Sequence, residues 1–348
     1  MTPKRRALSA ALPLAGAVWL LAPWPAAQAQ GAAAPGRLPG VSPSAATPLK
    51  RVGILTMTAS PASFTEGLAA LQQGLLGLGW QEGKNIEYLV SYAGREGNDV
   101  EARAAALVAR KIDLLVTTGT PAALAARRAT QTLPIVVTSV SNPVASGLVA
   151  SLGRPGGNVT GLANQLEEAV VKQVELLHEL LPAARRFAIV LNDANPTHAG
   201  WWPAMQQACA AMGLVALRVT ANAPAQIAGL REQLTQLRAQ AVLVAGDAMF
   251  VGERHRLHEQ LQATRLPVAY QFRQHVEAGG LMSHGLDIVA MLHYCAKYVD
   301  KILRGAKPAD LPVEQPTQFR LTINLRAAQA IGLTVPPSLL LRADEVIR

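Results

Sequence analysis

Cysteine is nearly missing: only Cys209 and Cys295 occur in 348 residues. Two cysteines so far apart cannot define a disulfide framework, and neither lies at a metal-site spacing. In an exported protein they could pair; two free buried thiols are the alternative. The histidines form no HExxH pair, and His255 and His258 fall in a polar stretch of helical period with an exposed character. GxSxG is absent, no GxGxxG follows a strand, and the glycine-rich SLGRPGGNVTG at 151–161 lacks the GxxxxGK[ST] spacing of a nucleotide loop. No two carboxylates are set out for acid/base work. These absences leave no catalytic machinery, metal or cofactor to assign, so the chain reads as a non-enzyme. Basic residues are spread along helical segments and are not gathered with aromatics, which argues against nucleic-acid binding.

What is present begins with an export signal. Lys4, Arg5 and Arg6 precede the apolar ALSAALPLAGAVWLLAP, and Ala27 with Ala29 forms an AxA site, so residues 1–29 are expected to be a cleaved signal peptide. Pro13 and Pro23 interrupt the apolar run, which weakens the alternative of an uncleaved anchor. The net charge of +9 falls to +6 once those three basic residues leave. Residues 30–49, rich in Ala, Pro, Gly and Ser, form a flexible leader. The mature chain is expected in the periplasm.

From residue 50 onward, short β-branched runs alternate with Ala/Leu-rich stretches of helical period. RVGILTM, NIEYLVSYA, DLLVTTG and LPIVVTSV read as strands, with helices at 64–79, 101–111 and 121–130 between them. The series restarts near 167 with strands at RFAIVLND, LVALRVT, AVLVAGD and LPVAYQF. The stretch 151–161 reads as a tight turn between the two series, and 288–305 as one more helix followed by a late strand and a short closing helix. Tandem βαβα series predict two α/β lobes with parallel sheets. The expected boundaries are 50–163 plus roughly 286–315 for the first lobe, and 164–285 plus roughly 316–348 for the second.

Ligands of such sheets lie beyond the carboxyl ends of the strands. In TTGTPAAL a strand ends at Gly119, Thr120 is placed to cap the next helix, and Pro121 opens it. Free amides there attract an anion, with Thr118 and Thr120 as hydroxyl donors; a cap without a ligand is the alternative. VVTSVSNP places Ser139, Ser141 and Asn142 at the next strand end. In the second series, Asn192, Asp193 and Asn195 follow one strand, and Gly246 and Asp247 another. An acidic side chain facing an anion-favouring wall suits an amino-acid zwitterion, with the carboxylate at the helix N-terminus and the ammonium at an Asp. For each Asp, helix capping is the competing role. Trp201 and Trp202 open a helix near this cleft, where one is expected in the core and stacking on a ligand is the other reading.

GLVASLGRPGGNVTGL (147–162), VEAGGLMSHG (276–285), YVDKILRGAKPADLPVEQPTQFRLTINL (298–325) and AIGLTVPPSLLLRADEVI (330–347) resemble the ABC-transporter substrate-binding protein family that includes tryptophan and tyrosine binders. The resemblance runs from about Arg51 to Arg348. It implies a type I periplasmic-binding-protein fold, in which two Rossmann-like lobes joined by three crossovers close on a small ligand. It also implies an ABC permease and its ATPase as partners, with this chain a monomer that binds an amino acid or related small carboxylate. A ligand-sensing subunit of a membrane receptor or kinase is the alternative use of such a fold. By the same resemblance Thr118, Gly119 and Thr120 would meet the carboxylate and Asp247 the ammonium group. Asn142 stands where the family often writes Asp, and His284 where it often writes Tyr; both departures bear on ligand choice and neither on the fold.

Overall fold

The computed structural model describes residues 49–58, 60–93, 99–164, 166–316 and 319–348. The expected signal peptide, and all of the leader except Leu49, lie outside them. The first lobe is built from β1 (Lys50–Thr56), α1 (Thr65–Gly77), β2 (Ile86–Tyr92), α2 (Val100–Ala109), β3 (Leu114–Thr118), α3 (Thr120–Ala129), β4 (Ile135–Ser141) and β5 (Val159–Asn164). The second runs through α4 (Leu166–Leu180), β6 (Arg186–Leu191), α5 (Pro196–Ala211), β7 (Val215–Thr220), α6 (Leu230–Gln236) and β8 (Ala241–Val244). It continues with α7 (Ala248–Gly252), α8 (Arg254–Gln262), β9 (Val268–Tyr270), α9 (Arg273–Glu277) and β10 (Met282–Gly285). After α10 (Ile288–Leu303) come β11 (Arg320–Asn324), α11 (Leu325–Ala330), α12 (Pro337–Arg342) and β12 (Glu345–Ile347).

The first sheet has the order β2-β1-β3-β4-β5 with every pair parallel. The second reads β12-β11-β10-β9-β8-β6-β7, so β7-β6-β8-β9-β10 repeats the order of the first lobe. Its strands are parallel except where β11 runs antiparallel to β10. The two parallel sheets expected from the sequence are present, and this one antiparallel pair arises where β11 arrives from the first lobe and not over a local helix.

Strands buried on both faces need no alternation of polar and apolar residues, which explains why LLVTT is buried throughout. One face of the first sheet packs on α1 and α10 through Leu71, Leu75, Leu292 and Val299, and the other on α2 and α3 through Leu107, Ala122 and Ala126. Gly74 of α1 admits α10: a Cβ there would stand 2.6 Å from the His293 carbonyl oxygen. In the second lobe α4, α5 and α12 cover one face and α6 and α8 the other.

The chain passes between the sheets three times: from Asn164 to α4, from Gly285 to α10, and back toward β11 after Glu314, which lies along β5 through the Ala163 N–H and the Gly161 carbonyl. The stretch expected as a tight turn at 151–161 therefore ends in a strand. Gly161 has φ 133° and a Cβ there would stand 2.2 Å from the Val137 carbonyl oxygen, so the glycine of NVTG serves close strand packing. Short α7, α9 and β10 have too few residues to leave a period. Both cysteines are free and buried, Cys209 in α5 and Cys295 in α10, which decides between the two alternatives above.

Candidate functional site

The carboxyl ends of both sheets open on one cavity of about 550 Å³, within the range of small-ligand sites. In each lobe the contributing tips flank the point where strand order reverses, β1/β3 in the first and β6/β8 in the second, as expected for doubly wound sheets.

The first wall is built of hydroxyls. Thr118 donates from its Oγ1 to that of Thr56 at 3.0 Å, and Thr56 meets the Thr58 hydroxyl at 3.2 Å. Gly119 is the N-cap of α3, with φ 82°, a value that favours glycine. Thr120 is not the cap, as the sequence suggested, but the first helical residue, and its Oγ1 accepts the Ser141 N–H at 3.2 Å. No side chain caps α3, so its first amides keep the positive end of the dipole open to the cavity. Ser141 donates to Asn164 Oδ1 at 2.6 Å, and Asn164 donates from Nδ2 to Ser139 Oγ at 3.1 Å. A register shift between Val137 and Val140, with Ser139 at φ 55°, brings both serines to this wall.

The second wall is a closed polar cluster. Asp247, 5% exposed, caps α7 by accepting the Met249 N–H at 2.8 Å on Oδ1. Its Oδ2 accepts from Asn195 Nδ2 at 2.9 Å and Asn192 Nδ2 at 3.2 Å. Asn195 in turn caps α5 through Thr197 N–H. His198 Nδ1 accepts the Asn192 N–H at 2.8 Å, which places its proton on Nε2, 3.2 Å from the Gly246 carbonyl. Burial pushes the His198 pKa below its ordinary value, with the nearby Asp247 charge opposing the shift. Trp201 is buried, stacks on His198 with centroids 4.7 Å apart, and lines the cavity while belonging to the core. Trp202 lies under Arg218. Capping and cavity lining, set against each other for Asp247 in the sequence, are thus held by the same side chain.

Of the expected residues, Thr118, Gly119, Thr120, Ser141, Asn195 and Asp247 share the cavity lining. Two do not join them. Asn142 is exposed at φ 40° and closes a turn by accepting the Ala145 N–H. His284 sits in β10 stacked on Phe319 at 5.7 Å, and its carbonyl accepts from Gln173; burial lowers its pKa. The first follows a strand end with its side chain exposed, and the second packs beside the inter-lobe connections. Sequence reasoning missed Thr56, Thr58, Asn164 and Arg254 in the lining. LTMTAS carries the same strand-end hydroxyl signal as TTGT and would have yielded the first two. The lobes also touch directly, with Ser63 Oγ donating to the Gly252 carbonyl at 3.3 Å.

Among the described residues no group of three or more His, Cys, Asp and Glu side chains is placed to hold a metal, and no helix is long and apolar enough to cross a membrane. Two lobes of one topology, opening their strand tips on one cavity, define a type I periplasmic-binding-protein fold. The sequence profile of the ABC transporter substrate-binding protein family matches residues 51–347, and the chain belongs to that family, whose members are non-catalytic solute receptors of ABC importers. A conserved domain protein from Vibrio cholerae is 28% identical, with a TM-score of 0.79 over 85% of this chain and 99% of its own. An ABC domain from Streptococcus pneumoniae, solved in complex with L-Trp, is 27% identical with a TM-score of 0.78 over 86% and 99%. The tyrosine-binding protein of Clostridioides difficile is 23% identical over 82% of this chain and 81% of its own.

Proposed function

We propose that the protein is an extracytoplasmic receptor that binds an amino acid, or a related small carboxylate, between its lobes and delivers it to an ABC permease and its ATPase. The observation that carries this reading is the pairing of opposite polarities across one cavity. An uncapped helix N-terminus with Thr118 and Thr120 stands on one wall, and the buried carboxylate of Asp247 on the other. A zwitterion matches both: its carboxylate completes the open amides of α3, and its ammonium takes the remaining acceptor capacity of Asp247. The relatives solved with L-Trp and named for tyrosine support the amino-acid class.

The neutral state of His198 serves this arrangement. A protonated imidazole beside Asp247 would offset the charge meant for the ammonium group; burial under Trp201 keeps it neutral and orients Asn192 instead. The test is isothermal titration of ligand-free protein with a panel of amino acids and carboxylates, together with mass spectrometry of whatever copurifies. Saturable binding that weakens in Asp247→Asn and Thr120→Ala is the expected result. Folded protein that binds nothing across the panel would sink the proposal.

A further inference from the structure

The cavity charges are unevenly neutralised. Arg128 is held by Glu101, and Asp247 by the α7 amide and two asparagines. Arg254, the first residue of α8, lines the same cavity half-buried. Among the described residues no carboxylate lies within 4.0 Å of it. It donates from Nη1 to the Val251 carbonyl at 3.2 Å, which leaves most of its five-donor fork unused. Glu277 feels both Arg254 and Glu66 electrostatically, yet neither carboxylate closes on the guanidinium. Nearby, Gln274 of α9 lines the cavity with Oε1 buried and without a partner; the adjacent His275 senses the Arg254 charge. The two amide ends are interchangeable by rotation, so that buried position can equally present an N–H.

We propose that Arg254, assisted by Gln274, is a specificity-determining residue that reads a second acidic group on the ligand, so that the substrate class is an amino acid whose side chain ends in a negative charge. The inference rests on the zwitterion reading above and adds a third contact to it. An anionic side chain pairs with a planar fork that is already oriented, in the bidentate geometry that arginine favours. A neutral side chain leaves the guanidinium unpaired as closing lobes exclude water, which is costly.

The experiment compares acid and amide partners of equal shape: glutamate against glutamine, and 4-carboxyphenylalanine against 4-carbamoylphenylalanine. They are titrated into the full chain after ligand removal by unfolding and refolding. In at least one pair the acid is expected to bind at least tenfold tighter. Arg254→Gln should reduce the ratio to within threefold, weakening the acid and relieving the amide of the unpaired guanidinium, and Arg254→Lys should keep part of the preference. Equal affinities within every pair in the unmutated protein, or a preference that survives Arg254→Gln, overturns the assignment. Binding of neutral members only, sensitive to Asp247→Asn, overturns this inference and leaves the receptor reading intact. Failure of all four compounds while other amino acids of the panel bind overturns this inference alone, and failure of the whole panel overturns both.

Discussion

The two lobes hang different chemistry on the same strand order. At the tips of β1, β3 and β4 stand Thr56, Thr58, Thr118, Thr120, Ser139 and Ser141, hydroxyls that rotate and can donate or accept. At the tips of β6 and β8 stand Asn192, Asn195, His198 and Asp247, whose polarities are fixed by mutual hydrogen bonds. Topology places the cavity by setting where each sheet reverses order; the side chains decide that one wall is adaptable while the other has a fixed polarity. The difference extends to burial, since the second lobe keeps His198 and His275 inside and the described histidine of the first, His293 on α10, is exposed.

That contrast can be broken most forcefully at Trp201. Removing its ring in Trp201→Ala should cost about 3–5 kcal/mol of stability, measured by denaturant unfolding. It should also release His198, so that hydrogen exchange rises at the tips of β6 and β8 before those of β1 and β3. An equal rise in both lobes would mean the ring holds no lobe-specific structure. Asp247→Asn comes next, because asparagine caps a helix about as well as aspartate, so the change isolates the charge. Titration should give an affinity loss of about 2–5 kcal/mol for a zwitterionic ligand with little change in Tm; unchanged affinity returns Asp247 to a capping role alone.

Acid sharpens the comparison further. Burial holds the His275 pKa down to about 3 and pushes that of His198 below its ordinary value, whereas the unfolded chain binds a proton at each near pH 6.5. Below that pH the unfolded state carries the extra protons, so stability falls as pH drops, by up to about 1.4 kcal/mol per pH unit for each histidine, until the folded pKa is reached. His275→Gln should flatten the slope between pH 6 and 4 in urea titrations, and an unaltered slope would show that other groups carry it. The smallest effect is expected on the adaptable wall. Thr118→Val removes one hydroxyl hydrogen bond, worth about 1 kcal/mol, and neighbouring rotors should compensate in ligand affinity; a loss as large as that of Asp247→Asn would equalise the two walls.

Most of the architecture is written in periodicity. The buried runs of β1, β3 and β8 and the helices between them can be read directly, because parallel strands covered on both faces leave continuous apolar stretches. β10, α7 and α9 cannot, since four or five residues carry no period. β5 is hidden by the glycine-rich run before it and by its own Gly161, which allows close contact with β4. In the site, strand-end hydroxyls and the GD at 246–247 are visible locally. Arg254 is not, because its place in the cavity follows from how α8 lies against the tips and not from any neighbour in sequence. Asn142 and His284 were singled out by resemblance in motif position, and position in a motif does not say which way a side chain leaves the backbone.

The returning helix α10 has a consequence for biogenesis. Its Leu292 and Val299 complete the core of a sheet whose strands lie at 50–164, and Trp80 donates to Asp300 at 2.8 Å to seat it. The amino-terminal half therefore cannot hide its apolar face until residue 303 is present, when almost the whole polypeptide has been made. A protein assembled in this order stays open to chaperones late into synthesis, and a truncation before α10 should yield insoluble product and no independently stable half.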